Sequence, residues 1–298
     1  MRKILISACA LALSLMLVNC SSKSKNSGSS PEPETAAAGQ SGALIEDAQA
    51  GHGKKGVSAP KSQAAVTTVA APQKGNAEAA AYTQLNLQIK NQEDEAILKE
   101  GSSILMKNPN DVKAINAMAM AYYKRGQYPL AKSLLLRALK IEVGAYEVHS
   151  NLGVVQLALG DKNEALKSFK KAIELNPNDY VSASNAGSLY VLEQDFEKAA
   201  VVLDIAYSKG YRNVKVLSNF GIALTATGKY EKADKIYREA LKENSNSKEV
   251  LFNHAILLIQ FLKKNDEGLE IVKKLKFLGI PEEGRKRLQD LQAMAEKK

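Results

Sequence analysis

The sequence predicts an all-α fold, a solenoid of about six helix–turn–helix repeats closed by a C-terminal capping helix. Three observations predict it. Small and large apolar residues recur in one register at a spacing of 34 residues. The tetrapeptide Asn108-Pro109-Asn110-Asp111 returns as Asn176-Pro177-Asn178-Asp179, two such periods later. There is no Trp and only 6% aromatic residues, so Ala and Leu make the core, as suits closely approaching helices.

The columns carry the register. A small residue that lets the first helix of each pair approach its partner recurs as Ala119, Gly153, Gly187 and Gly221. On the second helix, Ala131, Ala165, Ala199 and Ala233 form one column and Ala138, Ala172, Ala206 and Ala240 another. Between them lies a large apolar residue: Leu135, Phe169, Leu203 and Tyr237. Tight helix connections favour residues that tolerate positive φ. Gly126, Gly160 and Gly228 stand at these turns, and Gln194 replaces Gly in one repeat. Asp161 followed by Glu164 predicts a capping pair opening a second helix.

Clear repeats run over 112–145, 146–179, 180–213 and 214–247, with a degenerate first repeat at 78–111 and a degenerate last one at 248–281. The last carries an extra residue near Lys263-Lys264, because Gly268 sits one place late for the helix-packing Ala column. Leu288, Leu291 and Met294 at helical spacing predict a helix over 282–297. It covers the open end with a polar outer face, as a solenoid requires.

These residues resemble the tetratricopeptide-repeat (TPR) family, whose 34-residue unit is a helix–turn–helix. Residues 146–179 fit best, with Leu152-Gly153, Ala165, Phe169, Ala172 and Pro177 on pattern. The resemblance covers residues 78–298 and implies a right-handed superhelix whose first helices line a concave, protein-binding groove. Asn151, Asn185, Asn219 and Asn253 form one column there. An Asn amide is both donor and acceptor, so the column can bracket the backbone of a bound peptide or tie neighbouring helices together. The same carry-over places Lys113, Asn116, Tyr123 and Lys215 on the groove, with Met120, Val154, Ile222 and Phe252 among its apolar positions. Some TPR chaperone cofactors hold a C-terminal carboxylate with Lys and Arg in this groove. Here the corresponding places are Asn116, Met120, Val181 and Asn185, so that clamp is absent.

The residues before the repeats read as an address and a tether. Arg2 and Lys3 precede an apolar run from Ile4 to Val18, too short to span about 30 Å of hydrocarbon but right for the core of a signal peptide. Leu17-Val18-Asn19-Cys20 then resembles a bacterial lipoprotein signal, implying a signal peptide at 1–19 and lipidation of Cys20. Asn19 departs from the usual Gly, Ala or Ser. Ser21 is not the Asp that marks inner-membrane retention, which implies the outer membrane. Removal of residues 1–19 discards Cys9, the other cysteine, and leaves no pair for a disulfide. Residues 21–77 contain no aromatic residue and are rich in Ser, Gly, Ala, Pro, Lys and Gln. Such a composition buries too little apolar surface to offset its ordering entropy. With Cys20 it forms a tether over 20–77, averaging roughly 40 Å end to end. Gly51-His52-Gly53-Lys54-Lys55-Gly56 matches a dinucleotide fingerprint by letter alone, since that loop must join a strand to a helix.

The remaining features exclude more than they assign. The formal charge of +9 is diffuse, unlike the dense basic patch of a nucleic-acid binder, so no nucleic-acid partner is expected. His52, His149 and His254 lie far apart in sequence, the latter two in packing columns. No metalloprotease helix, phosphate loop, nucleophile elbow or Cys–His pair is present. The expectation is a non-enzymatic protein without cofactor or metal. It binds an envelope protein through its groove and the membrane through its lipid. Lipid anchor, tether and repeats together resemble pilotin lipoproteins of type IV pili and TPR lipoproteins of gliding-motility complexes. Accessory lipoproteins of outer-membrane protein insertion, and recruiters of peptidoglycan-remodelling enzymes, are the alternatives.

Overall fold

The computed structural model describes residues 74–280 and 282–297, with side chains from Tyr82 onward except at 283. The signal peptide, Cys20 and most of the tether lie outside the described residues. Thirteen α-helices are described: α1 (Lys74–Lys90), α2 (Asp94–Lys107), α3 (Val112–Lys124), α4 (Tyr128–Ile141), α5 (Tyr146–Ala158), α6 (Lys162–Leu175), α7 (Tyr180–Leu192), α8 (Phe196–Ser208), α9 (Val214–Ala226), α10 (Tyr230–Glu243), α11 (Lys248–Ile256), α12 (Asn265–Leu278) and α13 (Glu282–Glu296). No strand occurs among the described residues. The fold is all-α, built of TPR-type helix pairs. The chain divides at 175/176 into two compact units.

In the unit that ends at Leu175, each pair packs a small residue against a large one. A Cβ on Gly153 would lie 2.5 Å from Cε1 of Phe169, which is itself fully buried. Only hydrogen at that position lets α5 and α6 meet. Ala119 and Leu135 are likewise 0% exposed. The degenerate first repeat exchanges the two sizes. Its first helix carries buried Leu85 where later repeats have Ala or Gly, and its second carries Gly101 where they have Leu, Phe or Tyr. Gly101 then admits Met118 of α3, whose Cγ would stand 2.6 Å from an added Cβ. Leu85, Ile97, Ile104, Ala114, Ala117 and Ala121 form the resulting cluster.

In the unit that begins at Asn176 the same rule holds. An added Cβ would lie 2.4 Å from Leu203 Cγ at Gly187 and 2.4 Å from Tyr237 Cε1 at Gly221. The extra residue of the last repeat is absorbed one turn before Lys263, by a π-helical stretch over Leu257–Phe261. Leu262 N donates to Leu257 O at 3.0 Å, an i→i+5 bond that accommodates one residue more than an α-turn. Lys263 then takes the left-handed turn position at φ 57°, matching Gln194 at 63° and Gly228 at 76°. The insertion also carries Gly268 into the column of Ala199 and Ala233, against Ile259. In α13, Leu288, Leu291 and Ala295 are buried. Met294, expected with the two leucines, is instead 51% exposed.

Local hydrogen bonds explain the recurring tetrapeptide. Asn108 Oδ1 accepts from Asn110 N at 3.2 Å, and Asp111 Oδ1 caps α3 through Ala114 N at 2.8 Å. Asn176 does the same with Asn178 N at 3.1 Å, and Asp179 caps α7 through Val181 N and Ser182 N. Each motif is a tight turn followed by a helix N-cap. The expected capping pair at α6 is not formed. Asp161 turns to Lys132 at 3.0 Å, and Glu164 to Lys167 at 2.7 Å.

Candidate peptide-binding groove

In the unit ending at Leu175, the first helices α1, α3 and α5 line a groove of about 540 Å³. Its floor is apolar, formed by Leu85, Ile89, Ile97, Ala117, Met120, Ala121 and Val148. Hydrophobic periodicity dictates this: after each helix packs against its own second helix, a second strip of apolar residues remains on the side facing its neighbours.

Polar residues hold the walls. Tyr82 donates its hydroxyl to the Asp111 carboxylate, and Lys113 Nζ stands 5.7 Å from the centre of the Tyr82 ring. Asn151 Nδ2 donates to Asn116 Oδ1 at 2.9 Å, joining α5 to α3. Lys124 pairs with Asp94 at 3.7 Å and reaches Gln92 Oε1 at 3.4 Å. Glu142 and Glu147 complete the wall; both are exposed, and neither has an ion-pair partner among the described residues.

Lys113, Asn116 and Asn151 therefore lie together in this groove, as their repeat positions predict. Tyr123 does not join them. Its ring is 4% exposed and packs 5.5 Å from Tyr128, on the side of α3 that faces α4. Sequence reasoning missed Tyr82, Glu142 and Glu147. Two of these were recoverable: Tyr82 shares a column with Asn116, and Glu147 shares one with Lys113. Glu142 follows the end of α4 and belongs to no column.

The other candidate residues belong to the unit that begins at Asn176. Asn185 is 3% exposed, and its Nδ2 is buried without a hydrogen-bond partner. Asn219 is 6% exposed and donates from Nδ2 to Ser188 Oγ at 2.9 Å, tying α9 to α7. Asn253 is 6% exposed on α11, and Lys215 is exposed on α9. Ile222 and Phe252, expected on the groove face, are 1% and 4% exposed and belong to the core, as does Val154 at 3% in the other unit.

This unit also contains a charge cluster in which buried Asp234 and His254 meet the exposed Arg238 and Lys264. Asp234 Oδ1 accepts from His254 Nε2 at 2.6 Å and from Arg238 Nε at 2.9 Å, while Lys264 Nζ lies 3.4 Å from Oδ2. Burial pushes the Asp234 carboxyl up, but the bonds from His254 and Arg238 prevail and hold it below the ordinary range. His254 is 2% exposed and its Nδ1 has no partner. Desolvation is the largest influence on it and pulls the imidazole below its ordinary value against the attraction of Asp234. His149 is only half-buried and bonds Val143 O at 2.9 Å.

Among the described residues no group of three His, Cys, Asp or Glu side chains is placed to hold a metal ion. No described helix is long and apolar enough to cross a membrane. The arrangement offers an apolar floor, amide groups and fixed charges, which is the chemistry of recognition.

Comparison with known proteins agrees with the repeat register. Family models described as tetratricopeptide repeat match residues 146–179, and also 112–141 and 215–242. Tetratricopeptide repeat protein 13 of Homo sapiens is 28% identical over 155 residues, 50% of this chain and 18% of that protein. Protein O-mannosyl-transferase TMTC3 of Homo sapiens is 29% identical over 157 residues, 48% of this chain and 17% of its own length. The chain thus spans about a fifth of the curated relatives it matches. Among solved structures, YrrB, described as a TPR protein with an unusual peptide-binding site, superposes with a TM-score of 0.57 at 14% identity. That match covers 65% of this chain and 97% of YrrB. A MamA mutant superposes with a TM-score of 0.51 at 21% identity over 56% of this chain and 97% of its own.

Proposed function

We propose that this chain is a lipid-anchored, non-catalytic scaffold or assembly protein for a multiprotein cell-envelope machine of the pilus-secretin or gliding-motility type. Protein binding follows from the TPR fold, since such repeats serve as protein-binding scaffolds. The observation that carries the reading to a particular place is the groove of α1, α3 and α5. Its apolar floor gains by being covered, and the amides and unpaired carboxylates on its border restrict what can cover it. Anchoring through Cys20, an outer-membrane address facing the periplasm and a tether over 20–77 complete the proposal. They rest on the Leu17–Cys20 motif and on the composition of the segment after it.

Crosslinking followed by co-purification from membranes tests the reading. The partner recovered with the wild-type chain is expected to be an envelope-machine component. It is expected to be lost with Met120→Trp, which fills the half-exposed floor position. Recovery of the same partner by the Met120→Trp variant would place binding away from this groove.

A further inference from the structure

We infer that the groove of α1, α3 and α5 selects a basic–apolar protein segment, one in which Lys or Arg flanks the apolar side chain that enters the floor. The inference rests on the proposed use of this groove for protein binding and adds the chemistry of what enters it.

The charges on the groove wall are unevenly compensated. Lys124 is compensated by Asp94 at 3.7 Å. Asp111 receives the Tyr82 hydroxyl and the amide of Ala114 at the start of α3. Lys113 has the Tyr82 ring face 5.7 Å away, a contact that favours an ammonium. Glu142 and Glu147 have nothing comparable: both are exposed groove-wall carboxylates outside every ion pair of the described residues.

A segment that fills about 540 Å³ over an apolar floor strips water from these carboxylates. Covering a charge without a partner is costly, and covering it with a like charge costs more. The cost is avoided when the segment brings cations of its own. Asn116 and Asn151 satisfy each other through one bond, which leaves each amide further donor or acceptor capacity. They can therefore bond the backbone of an extended segment without giving up their own contact. The TPR carboxylate clamp uses Lys and Arg at places that here hold Asn116 and Met120. Those places are uncharged here, and the carboxylates of Glu142 and Glu147 stand on the wall instead.

The test is selection of a random dodecapeptide display library on the immobilised full chain, on Met120→Trp and on the double reversal Glu142→Lys/Glu147→Lys. The wild-type chain is expected to enrich peptides with Lys or Arg beside Leu, Ile or Met. Binding of those peptides is expected to fall about tenfold or more between low and high salt, as screened charge pairs do. The double reversal is expected to enrich Asp- and Glu-containing peptides instead, a gain that a misfolded variant cannot produce. Acidic or uncharged peptides enriched by the wild-type chain, or a preference unchanged by the reversal, would overturn the charge assignment. The groove reading would then survive, provided Met120→Trp abolishes capture. No enrichment at all, or capture that persists in Met120→Trp, would remove the groove reading and this inference with it.

Discussion

The contact between Gly187 and Leu203 is the most direct place to perturb the register on which the fold rests. A Cβ at 187 would lie 2.4 Å from Leu203 Cγ, 2.6 Å from Cδ2 and 3.1 Å from Cδ1. The branch carbon itself collides, so turning the terminal methyls of Leu203 about χ2 does not clear it. Inserting a methyl into a packed site costs about 1–3 kcal/mol, and Ala in place of Gly within a helix returns about 1 kcal/mol. Gly187→Ala should therefore destabilise by about 0–2 kcal/mol net. Leu203 is 0% exposed, so Leu203→Ala should cost about 2–5 kcal/mol through lost burial and a cavity.

The double variant separates this geometry from generic damage. With Leu203 truncated the clash is gone, the helix preference of Ala remains, and the new methyl partly fills the vacated space. The double change should be more stable than the sum of the two single changes by about 1–3 kcal/mol, within the range of about 0.5–3 kcal/mol seen for directly contacting pairs. Urea denaturation of the full chain, followed by the circular dichroism of its helices, measures all four corners of the cycle. Additivity within about 0.5 kcal/mol, the behaviour of sites that do not touch, would refute the contact and the register that places it.

Three further outcomes are expected. His254 is buried with its affinity for protons lowered, so the unfolded chain protonates first as the solution is acidified. Its stabilising effect is thus complete above the unfolded value of about 6.5 and is lost as pH falls through the lower folded value; urea midpoints should drop between pH 7.5 and 5.5, and His254→Gln should flatten that drop. Asn219→Ala removes the bond to Ser188 Oγ and should cost about 0.5–1.5 kcal/mol of stability, read as a lower urea midpoint. Cys20→Ala should release the protein from the lipidated membrane fraction, and an unmodified Cys20 in the mature protein, seen by mass spectrometry, would refute the anchor.

The repeats were legible because steric demand acts on single residues at fixed spacing. Gly153, Gly187 and Gly221 each face one large side chain, Phe169, Leu203 and Tyr237, and nothing but Gly avoids the collision. The ends of the array obey the same demand by other means. Leu85 and Gly101 exchange the sizes, which aligned columns do not show; the π-helical stretch at Leu257–Phe261 shifts the register by one, and the late Gly268 signalled the extra residue but not the turn that absorbs it. The Asn column was visible, but its bonds were not. Asn151 reaches Asn116 and Asn219 reaches Ser188, partners on the neighbouring first helix whose approach depends on how adjacent pairs are set. Tyr123 was misplaced for a related reason: repeat position does not say which way a large ring turns when an aromatic neighbour such as Tyr128 stands beside it.

Packing and recognition therefore leave different marks along a column. A position that must pack repeats one class of residue, as Ala131, Ala165, Ala199 and Ala233 do. A position that must discriminate is free of that demand and changes class from repeat to repeat. The column of Lys113 continues as Glu147, Val181, Lys215 and Glu249, alternating in sign and once losing charge altogether. Its first two members stand on the wall of the groove, opposite in charge and unpaired with each other. The fold tolerates any of these residues at that position, so packing does not fix their identities. Reversing the two rim carboxylates Glu142 and Glu147 leaves every packing column untouched, so the charge of the groove wall can be tested apart from the fold.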